Sequence, residues 1–362
     1  LTKEGDRIVV GGFSYTLGTS GNKITPNSDD FWVLGLDTSG TRLWEKSLGG
    51  EGGGVNDSLA RIIQVSDGGF MLFGTSYSQP AGAKTAPSFG QTDFWIVRTD
   101  ANLNPLWDKS FGGSNYDGLS SVREVREGGF IVVGNSYSGI SGNKESPAYG
   151  DCDMWVVRLD RDGRKTWERS FGGVGIDEAY CVEQTSDGGF IVGGFSESPP
   201  SGTKTSLNYG GRDYWVVRLD SGGNQIWERS YGGPGGFEHL YDLCQLDDGG
   251  FLLCGGSNSS IGGTRTAPSL WGAGVWIVRT DALGNQLWDR SFGGTAGGEL
   301  YRILRKRSGG FVFGGNSASG ADGTKTSPNF GGTDFWLVEF SLREAPIGAP
   351  AVLVNGQFSP SN

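Results

Sequence analysis

Histidine and cysteine are scarce in this chain of 362 residues, which contains one histidine and four cysteines. A single histidine excludes a metal site built from several imidazoles, and no pair of cysteines has the spacing of a zinc site. The short motifs of serine hydrolases, phosphate-binding loops and zinc peptidases are missing as well. We therefore expect no cofactor and no enzymatic activity, although paired carboxylates for glycoside hydrolysis remain an open alternative among the 40 acidic residues.

Positive charge and long apolar runs are also in short supply. The chain has 30 Lys and Arg residues against 40 Asp and Glu residues, a formal charge of −10 and an isoelectric point near 4.8. A nucleic-acid partner requires a basic face, which this composition does not favour. No stretch approaches the roughly 18 consecutive apolar residues of a membrane span. We expect neither nucleic-acid binding nor membrane insertion.

Helical periodicity is missing, and a tandem repeat takes its place. A tryptophan that follows an Asp-aromatic or similar pair recurs every 60 to 63 residues, and a second tryptophan follows twelve residues later in the first five copies. The first set is Trp32, Trp95, Trp155, Trp215, Trp276 and Trp336, and the second is Trp44, Trp107, Trp167, Trp227 and Trp288. So regular a period indicates a repeat architecture.

Each repeat reads as four short strands joined by Gly-containing turns. In the fourth repeat we predict strands from Glu178 to Thr185, Phe190 to Ser196, Tyr214 to Leu219 and Gln225 to Tyr231. Four antiparallel strands repeated six times predict an all-β, six-bladed β-propeller, because ring closure removes exposed sheet edges. We call the four positions the first to fourth strands of a blade.

The order of these strands resembles a blade of the WD type, and the run from Leu219 to Trp227 is similar to the outer-strand docking motif of quinoprotein propellers. The whole pattern most resembles the 60-residue tandem repeats, of the delta-sixty kind, of secreted bacterial surface proteins. The resemblance covers residues 1 to about 341 and implies a propeller over residues 1–343, with an extracellular or cell-surface location. It carries no functional motif.

The end of the chain does not follow the repeat. Residues 344–362 contain three prolines and one short apolar stretch, Ala351 to Val354. This segment completes the sixth blade, pairs beside Leu1 to close the ring, or leads into a further domain. We favour the last reading.

Two cysteines of the fifth repeat are candidates for a disulfide. If Asp248-Gly249-Gly250 forms a three-residue hairpin loop, Cys244 lies directly opposite Cys254, where a cross-strand bridge is sterically allowed. Two free buried thiols are the alternative.

The loops between second and third strands, and between fourth and first strands, are the long ones and share one face, where we expect any ligand to bind. Each second-to-third loop repeats a cation, and an aromatic or leucine follows five residues later in most copies. The candidate cations are Lys84, Lys144, Lys204, Arg265 and Lys325, and the candidate aromatics are Phe89, Tyr149, Tyr209 and Phe330. These residues either bind sugars or an anionic polymer, or they pin each loop onto the neighbouring strand. We favour the second alternative, because features shared by all repeats usually serve the repeat itself.

Two sets of carboxylates are also repeated. One heads the third strand at Asp93, Asp153, Asp213 and Asp334, and we expect it to accept loop amide hydrogen bonds. The other enters the first strand at Asp57, Asp117, Asp177 and Glu238. The second set either forms a cation ring suited to Ca²⁺ or, as we favour, satisfies backbone N–H groups of neighbouring Gly pairs.

The fifth repeat departs most from the pattern. It contains Trp271, the one tryptophan outside both sets, and the sole histidine, His239, beside Glu238. A local departure points to a specific site better than a feature common to all copies, so we expect a partly exposed Trp271 near His239. We predict a non-catalytic scaffold or recognition module that binds a protein or a polysaccharide, with a lectin-like domain and a carbohydrate-active enzyme as alternatives.

Overall fold

The computed structural model describes residues 2–3, 5–13, 23–25, 30–50, 57–269 and 274–341. These residues form strands, turns and loops, with no helix among them. The six sheets are the blades of a six-bladed β-propeller, as the repeat predicts. Within the described ranges, no helix is long and apolar enough to span a membrane.

The chain divides into two compact units, Leu1–Ala179 and Tyr180–Asn362. The first unit contains blades one to three, whose strands are β1 Arg7–Phe13, β2 Phe31–Asp37 and β3 Arg42–Leu48, then β4 Ser58–Gln64, β5 Phe70–Ser76, β6 Asp93–Thr99 and β7 Pro105–Phe111, then β8 Asp117–Glu124, β9 Phe130–Ser136, β10 Asp153–Leu159 and β11 Lys165–Phe171.

The fourth blade begins with β12 Asp177–Gln184, which contains the boundary between the units. It continues with β13 Phe190–Ser196, β14 Asp213–Leu219 and β15 Gln225–Tyr231. Blades five and six consist of β16 Glu238–Gln245, β17 Phe251–Ser257, β18 Gly274–Thr280 and β19 Gln286–Phe292, then β20 Gly298–Arg305, β21 Phe311–Ser317 and β22 Asp334–Phe340. The predicted bounds of the fourth blade are confirmed to within one residue.

Four tryptophans of the first set lie between neighbouring blades of one unit, as predicted: Trp95, Trp155, Trp276 and Trp336. Trp95, Trp155, Trp215 and Trp276 are fully buried and Trp336 is nearly so, whereas Trp32 is half-buried. In the first unit the ring of Trp155 stacks 4.7 Å from Phe94 of the preceding blade. In the second unit Trp276 lies 4.9 Å from Tyr214 in the same way. Each pair fills the space between two sheets, where large aromatic rings remove the most apolar area from water.

Two tryptophans of the second set, Trp107 and Trp227, pack against the turn of the following blade. A Cβ atom on Gly163 would lie 2.4 Å from the ring of Trp107, and one on Gly284 would lie 2.9 Å from the ring of Trp227. Both glycines have positive φ, so they serve the turn conformation and the close approach of the indole together.

The disulfide alternative between Cys244 and Cys254 is wrong, because no disulfide joins them. Strand β16 pairs with β17 so that Cys244 faces Leu252 while Cys254 faces Asp242. The turn begins at Leu246, whose N–H bonds the Gly250 carbonyl, so the hairpin loop is longer than the three residues assumed. The register therefore differs by two positions and separates the sulfurs.

The segment 344–362 and its apolar stretch, Ala351 to Val354, lie outside the described residues. The boundary at residue 343 stays a prediction. Within the described part of the chain, blade six has three strands, β20 to β22.

Removing an inter-blade indole should unfold the protein more readily. We expect Trp215→Ala to lower the free energy of unfolding by about 3–5 kcal/mol, because it leaves a large cavity in a fully enclosed layer. Urea denaturation followed by circular dichroism measures this loss. The matched control is Ile226→Ala on β15 of the same blade, whose side chain is 56% exposed and should matter little. Equal stability of both variants would contradict the inter-blade placement.

Candidate functional site

The repeated cations lie inside the blades instead of on the loop surface. Lys84, Lys144, Lys204, Arg265 and Lys325 are at most 3% exposed. Lys144 donates from Nζ to the Ser146 carbonyl at 2.8 Å and to Ser170 Oγ at 3.0 Å. Side chains enclosed and bonded in this way have no surface to offer to a sugar or an anionic polymer. Their role in the described structure is to hold the loop.

Three of these cations, Lys84, Lys144 and Arg265, also lie above the inter-blade tryptophans. Lys84 Nζ is 5.9 Å from the ring centroid of Trp95, and the Arg265 guanidinium carbon is 5.4 Å from that of Trp276. A cation over an indole face is attracted by the ring quadrupole, more strongly where water is excluded. The loop cation and the inter-blade indole therefore form one packing unit.

A carboxylate that directly follows the second tryptophan completes this unit, and our sequence analysis did not single it out. Glu228 accepts the backbone N–H groups of Thr205 and Ser206, at 3.0 and 2.7 Å, and the indole N–H of Trp215 at 2.6 Å. The equivalent residues Glu45, Asp108, Glu168 and Asp289 each accept two consecutive loop amides in the same way. We call this arrangement the carboxylate clamp.

The clamp carboxylate stays ionised in spite of its burial. Burial alone would raise the pKa of Glu228, but the hydrogen bonds from Ser206, Thr205 and Trp215 outweigh it and lower the pKa below its usual range. The signal in the sequence is the Trp-Asp or Trp-Glu dipeptide that recurs in five repeats. It is readable as a pattern, but the loop amides that it binds are about 22 residues away.

The loop aromatics are held by the carboxylates that head the third strands, as expected. The N–H groups of Phe89, Tyr149, Tyr209 and Phe330 each donate to the Asp four residues on, at 2.6 to 2.9 Å. Phe89 packs on Gly142 and Tyr209 on Gly263, each glycine belonging to the next blade. Phe330 differs, since its ring is 87% exposed. For Phe89 and Tyr209 the packing supports the loop-pinning alternative.

The carboxylates that enter the first strands are fully buried. Gly113 N–H donates to Asp117 at 2.7 Å, and Gly173 N–H donates to Asp177 at the same distance. This confirms for Asp117 and Asp177 that the Gly pairs supply amides to these carboxylates. Among the described residues there is no group of three or more His, Cys, Asp or Glu side chains that could hold a metal ion.

These carboxylates lie in pairs with those that head the third strand of the preceding blade. A Cβ atom on Gly172 would lie 1.8 Å from Asp153 Oδ1 and 3.0 Å from Asp177 Oδ2, and Gly232 is placed likewise between Asp213 and Glu238. A glycine is therefore required between each pair. Burial, followed by the charge of Asp177, raises the pKa of Asp153 to about 6.

The second unit shows the same electrostatics. Burial, together with the charge of Asp213, raises the pKa of Glu238 to about 7. Both members of the pair are missing between blades five and six, where the equivalent residues are Gly274 and Gly298. The joint loss indicates that the two carboxylates act as one structural unit.

An open cleft of about 530 Å³ lies in the second unit, lined by Glu197, Gly211, Arg212, Gly236, Phe237 and His239. We call it the aromatic cleft. It is built from the second-to-third and fourth-to-first loops, the loops from which we expect a ligand site. The His239 ring lies 5.1 Å from both Phe237 and the buried Phe195.

A chain of hydrogen bonds fixes the polar groups of the cleft. Arg212 Nε donates to Glu197 Oε1 at 2.7 Å, and Arg212 Nη1 donates to His239 Nε2 at 3.1 Å. Since the guanidinium only donates, His239 Nε2 accepts and its Nδ1–H donates to the Tyr241 hydroxyl at 3.3 Å. Burial, and then the charge of Arg212, lower the pKa of His239, so the ring is neutral at pH 7.

Three tyrosines continue the aromatic surface along the first strands of blades four to six. Tyr180 lies 5.7 Å from Tyr241, which lies 5.0 Å from Tyr301. The hydroxyls of Tyr241 and Tyr301 both donate to Glu299, at 3.3 and 2.9 Å. We call these rings the tyrosine row. All three are half-buried.

Our sequence analysis found His239 but missed the tyrosine row and the pair Arg212 and Glu197. The row could have been found, because the residue three positions after the entering carboxylate, or after Gly298 in blade six, is Tyr in blades four to six but Ala60 and Ser120 in blades two and three. Arg212 and Glu197 lie in loops of variable sequence, which gave no comparable signal.

Two expectations for the fifth blade have different outcomes. Glu238 does not share the surface of His239: it is fully buried and accepts a hydrogen bond from Ser257 at 2.7 Å. Neighbouring residues of a strand point to opposite sides, which explains the separation. Trp271 lies outside the described residues, so its expected exposure and nearness to His239 stay predictions.

A second aromatic patch lies in the first unit. Tyr77, Tyr116 and Tyr137 are 38 to 44% exposed, with ring centroids 6.3 and 6.5 Å apart along the row. We favour the aromatic cleft as the candidate site because it combines rings with an arginine, a carboxylate and an imidazole.

Comparison with known proteins gives limited information. No protein-family model matches the chain. The regulatory protein FlaEY of Caulobacter vibrioides is 25% identical over 199 residues, which is 52% of this chain and 20% of the relative. The chain thus spans about a fifth of that relative's length.

Solved structures with similar folds share little sequence with the chain. A hydrazine synthase of Kuenenia stuttgartiensis is 9% identical, with a TM-score of 0.42 and 79% of this chain and 63% of that chain covered. A thermostable family-43 glycoside hydrolase is 10% identical, with a TM-score of 0.38 and coverage of 87% and 97%. Likenesses of this strength carry no argument about function.

The buried carboxylate pairs predict how stability depends on pH. A carboxyl group whose pKa is higher in the folded protein than in the unfolded chain stabilises the fold when protonated, and this contribution is lost as pH rises through the folded pKa. With folded values of about 6 for Asp93, Asp153 and Asp213 and about 7 for Glu238, unfolding free energy should fall between pH 5 and 7.5. Urea denaturation across this range measures the slope.

The variant Asp153→Asn removes one of these charges with little change of shape. It should flatten the pH dependence by about 1–3 kcal/mol and stabilise the protein at pH 7.5. The control Asp151→Asn changes an exposed neighbour in the same loop and should leave the slope as it is. Wild-type protein that is no more stable at pH 5 than at pH 7.5 would show the pairs to be wrongly assigned.

Proposed function

We propose that this propeller is a non-catalytic recognition module of a secreted or cell-surface bacterial protein, built from repeats of the delta-sixty kind, and that its ligand binds in the aromatic cleft. One observation carries the proposal. Aromatic rings, a guanidinium, a carboxylate and a neutral imidazole converge on an open surface, at positions where the sequence departs from its own repeat.

The residues common to the repeats support this assignment, because their contacts are structural. The loop cations, clamp carboxylates and inter-blade tryptophans contact one another inside the blades. A residue that every blade needs for its own packing has little freedom to serve a ligand. His239, Tyr241 and Tyr301 differ from the repeat, do not belong to this packing and are half-exposed.

The same reasoning favours binding over hydrolysis. A glycosidase needs two carboxyl groups facing a substrate about 5–10 Å apart. The close carboxylate pairs of the described blades, such as Asp153 with Asp177, are fully buried and cannot reach a substrate. In the cleft, Glu197 is paired with Arg212 and Glu299 accepts two tyrosine hydroxyls.

A glycan array probed with the purified chain tests the proposal, and the cleft variants locate the site. We expect His239→Ala and Tyr241→Ala to weaken binding of any retained glycan at least tenfold, because the first removes a ring of the cleft and the second removes the ring 5.9 Å from it in the tyrosine row. Neither variant should lower the melting temperature as Trp215→Ala does. The control Ile261→Ala alters a 60% exposed apolar residue of a long loop in the fifth blade. Equal binding by all variants would move the site elsewhere.

A further inference from the structure

We infer that the aromatic cleft selects a neutral saccharide, gripped through neighbouring hydroxyl groups by Arg212 and Glu197 while its apolar face rests on His239 and Phe237. This inference rests on the proposed function and specifies its ligand. The cleft volume of about 530 Å³ lies within the range of small-molecule sites, about 300–1,000 Å³.

The apolar wall of the cleft offers ring faces for stacking. Phe237 and His239 are half-exposed and lie 5.1 Å apart, tilted by 34°. Behind them the fully buried Phe195 holds the Arg212 guanidinium 4.4 Å from its centroid, which fixes the plane of that group. A pyranose ring has one face of C–H groups that fits flat aromatic surfaces.

The polar wall supplies donors and acceptors together. Arg212 and Glu197 have side chains 37% and 34% exposed, so both reach the cleft. The guanidinium has five N–H groups and uses Nε with Glu197 and Nη1 with His239, so further donors remain for a ligand in the cleft that Arg212 lines. Glu197 Oε1 holds Arg212, and its second oxygen can accept from a hydroxyl. Vicinal hydroxyls both donate and accept, so they match a planar donor beside a planar acceptor.

The charges of the site disfavour an ionic ligand. An anion would meet Arg212 but also Glu197 and, through the tyrosine row, Glu299. His239 adds no positive charge because burial and Arg212 lower its pKa. The chain as a whole carries −10 and repels polyanions. A cation would be repelled by the exposed guanidinium. A neutral ligand is therefore the class that all of these charged groups accommodate.

Affinity electrophoresis of the full chain in gels that contain one polysaccharide each tests the inference. The neutral probes are laminarin, galactomannan and dextran, and the acidic probes are polygalacturonate and alginate. We expect at least one neutral probe to retard the protein and neither acidic probe to do so. Isothermal titration with short oligosaccharides of the retarding probe then gives the dissociation constant.

Variants show whether the named groups form the contact. Arg212→Lys keeps the charge but loses the planar fork, so binding should weaken at least tenfold. Glu197→Gln should also weaken it, whereas Ile261→Ala should not. The melting temperature of each variant, measured beside that of Ile261→Ala, guards against a general loss of folding.

The possible results distinguish a wrong ligand class from a wrong binding site. Retardation by the acidic probes alone, abolished by Arg212→Lys, would establish an anion site and overturn the inference. If no neutral probe binds, the inference fails, and the proposed site survives only if a glycan-array hit or a purified protein partner loses binding in His239→Ala. If a neutral probe binds equally to His239→Ala and Tyr241→Ala, the cleft itself is the wrong site.

Discussion

The blades depend on the clamp carboxylate, the acidic residue that directly follows each tryptophan of the second set. It accepts two amides of a long loop and, in blades two, four and five, the indole N–H of the inter-blade tryptophan. The loop cation lies over that same indole. One charged group thus ties the loop, the fourth strand and the inter-blade layer together. Because the loop amides are satisfied from below, the loops keep their shape without using the surface residues that a ligand could contact.

This arrangement leaves function to the residues that differ between blades. The fourth position of the first strand is free of the packing layer, and in blades four to six it carries the tyrosine row. Arg212 and Glu197 are placed beside it by the loop that the clamp and the third-strand Asp hold, and His239 lies on β16. A rigid repeat with a few variable surface positions is the usual way in which repeat proteins acquire binding sites.

The fold was predictable because its signals are periodic. The two tryptophans, the Asp-Gly turns and the Gly pairs recur in most copies, so the strands of the fourth blade could be placed to within one residue. The site was less predictable, because contacts such as that of Arg212 with His239 join a loop without periodicity to a strand residue 27 positions away. One alternative placed Glu238 and the loop cations on the ligand-binding surface, because a sequence does not show which side of a strand or loop is enclosed. The register of Cys244 failed for a related reason, since turn length cannot be read from Asp-Gly-Gly alone.

Amide hydrogen exchange in Glu228→Gln tests the central role of the clamp most directly. The substitution keeps the shape of the side chain but removes the charge that holds the amides of Thr205 and Ser206. The account predicts that these two amides lose protection at least tenfold, while amides in the centre of β14 keep theirs. Unchanged protection at Thr205 and Ser206 would contradict it and would show that the loop is held by other contacts.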